Sequence, residues 1–266
     1  MKIIQQTSQS IFKANEISVK YNRQDILDKI NINLIDGKIT AILGPNGSGK
    51  STMLKALSGL IPCHSGNIMI NDQNISHINR IDLAKLLSIL PQSPEAPTDI
   101  TVNQLVTYGR YAYSSWFNKN KKEDHKQVKL ALAVTNLTEL ADSFMHELSG
   151  GERQRVWIAM SLAQNSSYLF LDEPTTYLDI RFQFEIMQLI RNLNHQQGKT
   201  IIMVLHEIQH ALNYADYILL LNHGKIYSYA TVEDVIKSGA IEEVFKIEIK
   251  KFTEDNKNHF VICNKA

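Results

Sequence analysis

Cysteine is scarce: Cys63 and Cys263 are the only two in 266 residues, too few and too far apart for a disulfide framework or a zinc site. That scarcity agrees with a reducing compartment. Charge of one sign is lacking too. The chain has 28 basic and 27 acidic residues, a net charge of +1, so no basic field argues for a nucleic-acid partner. The cluster Lys119-Asn120-Lys121-Lys122 is offset by Glu123-Asp124 and reads as a solvated loop. No apolar run approaches the roughly 20 residues needed to cross a bilayer. The opening stretch, Met1 to Ser10, lacks the apolar core of a signal peptide. Internal repeats and low-complexity segments are missing as well.

What is present is enough apolar material for a large core. Apolar residues make up 44% of the chain, and its length allows one domain, or one domain carrying a lobe. Residues 11–35 alternate, as in Ile30-Asn31-Ile32-Asn33-Leu34, and predict antiparallel strands. Short strands follow at 67–71 and 88–90. Residues 100–145 carry helical periodicity, clearest from Asp124 to Val134. Strand and helix then alternate through 168–172, 181–197, 200–205, 207–213 and 217–221, which predicts a mostly parallel central sheet. Residues 231–249 read as helix, and the chain from Lys250 reads as a polar tail with a short apolar run.

Three blocks carry chemistry. The first is Gly44-Pro45-Asn46-Gly47-Ser48-Gly49-Lys50-Ser51-Thr52, which satisfies G-x-x-x-x-G-K-[ST]. An apolar, partly β-branched strand (38–43) precedes it and a helical segment (52–57) follows, the setting this motif requires. Glycines let the backbone turn tightly and aim N–H groups inward. The helix N-terminus adds partial positive charge where phosphates would sit. In such loops the lysine, here Lys50, reaches the β- and γ-phosphates, and the hydroxyl, here Ser51, ligates magnesium. A glycine-rich turn with a chance lysine is the plainer alternative, and the agreement of every fixed position with both flanks rejects it.

The second block is Tyr168-Leu169-Phe170-Leu171 followed by Asp172-Glu173-Pro174. In an open parallel sheet, ligands lie beyond the carboxyl ends of the strands. Asp172 can therefore reach a magnesium shell, and Glu173 can polarise a water in line with a γ-phosphate. The third block is Leu148-Ser149-Gly150-Gly151-Glu152-Arg153-Gln154-Arg155. Ser149 is a plausible N-cap for a helix over about 151–163, and the glycines permit close approach of a phosphate.

In this order the blocks closely resemble the ATPase subunits of ABC transporters, and the resemblance spans about residues 12–250. It implies an α/β fold: a P-loop NTPase core with a mostly parallel sheet, an N-terminal antiparallel β subdomain and an inserted helical subdomain at about 93–163. The domain would run over 11–250, with 251–266 as a C-terminal tail. ATP and Mg2+ are the implied cofactors. Further positions match one at a time. Gln92, in Leu90-Pro91-Gln92-Ser93-Pro94-Glu95, fits the glutamine loop that contacts magnesium or the attacking water. His206 fits the switch histidine at the γ-phosphate; Glu207 stands where most members have Asp. Tyr21 fits the aromatic that stacks on adenine.

Ser149, Gly150 and Gly151 would complete a nucleotide site on a second copy of the chain, so two copies would sandwich two ATP molecules head to tail. Leu178-Asp179 fit the loop crossing that interface. Many relatives have a small residue where Tyr177 stands. The stretch 172–180, together with 90–95, Tyr108-Gly109-Arg110-Tyr111 and 155–160, resembles the branch that energises uptake of iron–siderophores, haem and cobalamin. The resemblance then implies integral membrane permease subunits as partners and, through them, an extracytoplasmic substrate-binding protein. The chain would lie at the cytoplasmic face of the membrane, peripheral through the permease. Its docking surface would fall in 93–116, where Pro94, Pro97, Tyr108, Tyr111, Tyr113 and Trp116 cluster with Phe117 just beyond. Within that branch the resemblance points to an importer of ferric siderophores; the ATPase of another ABC transporter, for haem, cobalamin or another solute, and a non-transport ABC ATPase such as the iron–sulfur assembly type are the alternatives.

Overall fold

The computed structural model describes residues 12–22, 24–113, 121–254 and 257–264. The first strands pair as expected: β1 (Phe12–Tyr21) runs antiparallel to β2 (Gln24–Leu34) and to β4 (Ser65–Ile70), and β5 (Gln73–Asn74) closes this four-stranded sheet. Between them lie β3 (Ile39–Leu43) and α1 (Lys50–Leu57). After β5 come α2 (Arg80–Leu86) and β6 (Leu87–Leu90). The helical lobe follows, with α3 (Val102–Tyr108), α4 (Lys121–Val134) and α5 (Gly150–Ala163), the first two packing on the third. The core resumes with β7 (Tyr168–Asp172), α6 (Ile180–Gln197), β8 (Thr200–Val204), α7 (Ile208–Tyr214), β9 (Tyr217–Asn222) and β10 (Lys225–Thr231).

The central sheet has six strands in the order β10-β9-β3-β8-β7-β6. All neighbours are parallel except β10, which returns antiparallel on β9. Successive side chains on a strand point to opposite faces, and the two cores show it. Ala41, Leu43, Leu169, Leu171, Ile201 and Met203 face the core shared with α5, α6 and α7; Ile42, Phe170, Ile202 and Val204 face the core shared with β1, β2 and α1. Because both faces are covered, these strands read as unbroken apolar runs rather than alternating ones.

The chain departs from the sequence reading near its end. Residues 231–249 are not one helix. Two short helices, α8 (Val232–Lys237) and α9 (Ala240–Phe245), are separated by Gly239 at φ 70°, and Lys246 at φ 57° terminates the second. Then β11 (Ile247–Glu254) pairs antiparallel with β12 (Lys257–Asn264). The segment read as a polar tail from Lys250 is therefore a hairpin, and the division at 250/251 falls inside β11. Ile247 and Ile249 pack on the main core and Phe260 is buried in it. Helix α2 and strand β10 were also absent from the sequence reading. Trp116 and Phe117, assigned to the docking surface, lie outside the described residues, as do Lys119 and Asn120 of the charged cluster; Lys121 and Lys122 begin α4 rather than lying in a loop.

Candidate nucleotide site

Strands β3, β6, β7 and β8 run parallel and side by side, so their carboxyl ends share one edge of the sheet. From that edge emerge the glycine loop after Leu43, Gln92 after β6, Asp172 and Glu173 at the end of β7, and His206 after β8. One topological fact thus gathers side chains that are up to 162 positions apart in sequence.

The glycine loop enters α1 through Gly49, held at φ 98° as its N-cap. A β-carbon there would meet the Leu27 side chain at 2.9 Å, so both the backbone angle and the space require glycine. The first N–H groups of α1 have no acceptor within the helix and point into the loop. Lys50 curls back and its Nζ donates to the Gly44 and Pro45 carbonyls at 2.9 and 3.1 Å. Burial pushes its ammonium below the usual lysine range, against the opposing pull of Glu173 and Asp172. Ser48 Oγ is buried and has no hydrogen-bond partner among the described residues. An anion bound here would meet a desolvated cation, helix N–H donors and a free hydroxyl, so the loop fits a polyphosphate.

The acidic pair lies opposite. Ser51 Oγ donates to Asp172 Oδ1 at 3.0 Å. Burial raises the Asp172 carboxyl above the ordinary range, with the Ser51 bond opposing it and Glu173 adding repulsion. Hydroxyl and carboxylate oxygens are the donors a hard divalent ion takes, and magnesium needs few from the protein when phosphates supply others. Among the described residues no group of three or more His, Cys, Asp or Glu forms a self-sufficient metal cage, which fits an ion shared with the nucleotide.

Glu173 is the hub. Its Oε2 accepts from Gln92 Nε2 at 2.5 Å and from Thr176 Oγ1 at 3.1 Å, and its Oε1 meets His206 Nε2 at 2.5 Å. Its backbone sits at φ 53°, a left-handed conformation that glutamate rarely adopts, fixed by an N–H bond to Val204 O. The structure therefore brings together Lys50, Ser51, Asp172, Glu173, Gln92 and His206. Thr176 was not singled out from the sequence; an ordinary threonine beside Glu173-Pro174 carries no signal of its own.

Two groups of expected residues stand elsewhere. Tyr21 ends β1 and is largely exposed. Ser149 caps α5: its Oγ accepts from the Glu152 N–H, and the Glu152 carboxylate returns to the Ser149 N–H at 2.8 Å, a reciprocal cap. The recorded contacts of Ser149, Gly150 and Gly151 run to α5 and to the loop and helix after Glu173, not to the glycine loop. A β-carbon on Gly151 would lie 2.4 Å from the Phe182 ring. Arg155 lies over the same ring and donates to Glu185 at 2.7 Å. So α6, capped by Asp179, is the shelf on which the Ser149–Gly151 segment rests. Phe182 was missed in the sequence because only the tertiary contact gives it meaning.

This is the phosphate-binding class of parallel α/β proteins, with an acid poised beside the loop. The ABC transporter family profile matches residues 27–176. Over 243 residues the chain is 42% identical to the iron(3+)-hydroxamate import ATP-binding protein FhuC of Bacillus subtilis, covering 91% of this chain and 90% of that one. A solved metal-chelate type ABC transporter in an inward-facing conformation superposes with a TM-score of 0.81 at 27% identity, covering 96% and 98% of the two chains. The ATP-binding cassette MJ0796, solved as a dimer in a post-hydrolysis state with ADP and Pi, gives 0.71 at 27%, covering 83% and 98%. The chain belongs to the ABC transporter family. It is an ATP-hydrolysing subunit of that family, and among its described residues no helix is long and apolar enough to cross a membrane.

Proposed function

We propose that this chain binds and hydrolyses ATP to energise an importer of ferric siderophores. The observation that carries the hydrolytic part is the Glu173 hub beside Lys50, Ser51 and Asp172. Lys50 and the α1 N–H groups hold the phosphates and withdraw charge from them. Magnesium, held by Ser51 and Asp172 with Gln92 near, would neutralise the charge that develops on the β- and γ-oxygens. Glu173 orients water in line with the terminal phosphate and draws on its proton. Gln92 and His206, both bonded to Glu173, hold that carboxylate in place, and His206 is free to pass to the γ-phosphate when it arrives.

The tip of the glycine loop, Asn46 and Gly47, is exposed and open to a cover. Ser149, Gly150 and Gly151 of a second copy would supply it, placing a capped helix N-terminus over the phosphates. Tyr21 would stack on the adenine. Closing two such copies is the mechanical output, passed to membrane-embedded permease subunits. Tyr108 and Tyr111, 61% and 77% exposed, are the surface we assign to that docking. Tyr113 instead packs beneath the Arg110 guanidinium, 3.8 Å from its ring centre, and serves the lobe.

The cargo reading rests on the match to an iron(3+)-hydroxamate import protein and to a metal-chelate type transporter. Uptake of radiolabelled ferric siderophore tests it. A strain lacking this chain and any redundant ATPase should lose uptake. Undiminished uptake would reject the cargo and leave the ATPase reading standing; loss of haem or cobalamin uptake instead would reassign it.

A further inference from the structure

A second cleft lies away from the nucleotide edge, where α4 of the helical lobe meets the ends of α5 and α6. It encloses about 330 Å³. One wall is aliphatic, with Leu130 and Val134 of α4 and Leu162 of α5; Asn165, Gln197 and Lys199 line the rest. Lys199 is 7% exposed. Its ammonium carries three donors, and the Ser166 carbonyl takes one, at 2.6 Å. No carboxylate pairs with it among the described residues. Burial pushes its pKa down with no acid to offset the loss. The backbone around it is fixed: Gly198 caps α6 in the left-handed region, and Asn194 Nδ2 donates to the Lys199 carbonyl at 2.7 Å. Glu123, the acid one turn along α4, is held by Gln127 at 2.8 Å.

A buried cation without a counter-charge is costly, and a cavity beside it offers room for the missing anion. The volume suits a small ligand. At about 30 Å³ per non-hydrogen atom, the share of a liquid water, it holds on the order of ten such atoms. The aliphatic wall asks for hydrocarbon and the lysine for negative charge. We propose that this cleft binds a small amphiphilic carboxylate, its head on Lys199 with the Asn165 and Gln197 amides and its chain against Leu130, Val134 and Leu162. The site is independent of the nucleotide machinery, and its occupant would bridge the helical lobe to the core.

Octanoate is the probe, titrated into the full chain by calorimetry, with octanol as the neutral comparator of similar length. One saturable site per chain is expected, and octanol should bind at least about tenfold more weakly, the scale of a charge-assisted contact. Lys199→Met should weaken octanoate about tenfold or more while leaving octanol unchanged. If that variant does not fold, Leu130→Glu decides: Leu130 is half exposed, so the fold should tolerate it, and a like charge in the wall should weaken octanoate to a similar degree. Absence of saturable octanoate binding, octanol binding as tightly as octanoate, or unchanged affinity in the deciding variant would each overturn the site.

Discussion

At the scale of single residues, Glu173 separates binding from turnover. Glu173→Gln keeps the shape and the Thr176 and Gln92 neighbours but removes the charge that polarises water. ATP binding should persist while hydrolysis falls by two orders of magnitude or more, within the range general-base removal gives, about 10²–10⁴-fold. Wild-type turnover would remove Glu173 from its role. Asp172 yields a prediction about stability. Burial raises its folded pKa above its unfolded value, so its contribution is favourable below the unfolded pKa and lost as pH rises through the folded one. At neutral pH the nucleotide-free protein therefore carries a buried carboxylate that the Ser51 bond and the Lys55 and His206 charges only partly offset. Asp172→Asn should raise the Tm of the nucleotide-free protein at neutral pH, with the gain shrinking as pH falls through the carboxylate range. The same variant should lose the extra stabilisation that magnesium adds to ATP. A lower Tm at neutral pH would contradict the assignment of burial as the dominant effect.

Between elements, the contact that matters most is α5 on α6. Gly151 has no room for a β-carbon because the Phe182 ring occupies it, and Arg155 clamps the same ring toward Glu185. Phe182→Ala should cost about 1–3 kcal/mol. It should also lower ATPase activity more than it weakens ATP binding to the monomer, if the Ser149–Gly151 segment it supports serves the other copy as proposed. Gly151→Ala alone should be as harmful, and the double variant should recover part of the loss, since neighbours sharing one space couple by about 0.5–3 kcal/mol. Strict additivity in that cycle would deny the steric link. On the lobe surface, Tyr108→Ala should spare basal ATPase activity and reduce transport; reduced basal activity with normal coupling would mean the ring serves the lobe instead.

For the molecule as a whole, the parallel core and the site were legible in the sequence for one reason. Strands covered on both faces, such as Ile39–Leu43, Tyr168–Asp172 and Thr200–Val204, leave unbroken apolar runs, and the chemistry sits at their ends where apolar gives way to Gly44, Asp172 and His206. The sequence was less informative wherever an element depends on a distant one. Thr176 and Phe182 look ordinary until the chain folds. Residues 231–249 match helical periodicity well enough to hide two breaks at Gly239 and Lys246, and the Ile247–Ile249 alternation is too short to reveal a strand whose partner lies beyond residue 256. That hairpin is no appendage. Phe260 is buried in the main core, its strand packs on α7, and its carbonyl accepts from Gln209 Nε2 at 3.2 Å. Phe260→Ala should cost about 3 kcal/mol, read by thermal unfolding.

The same hairpin sets a clock on biosynthesis. Gln209 lies on the helix directly after His206, and its anchor is made 51 positions later. At about 5–20 residues per second, a ribosome needs roughly 3–10 s to cover that distance. For that interval the glycine loop, Asp172, Glu173 and His206 have all been synthesised, and the helix behind the histidine rests on α6 and β3 without the hairpin's share of its support. A nascent chain would thus hold its phosphate loop seconds before α7 is fully braced behind His206. Chains stalled just after Lys246 should bind ATP more readily than they hydrolyse it.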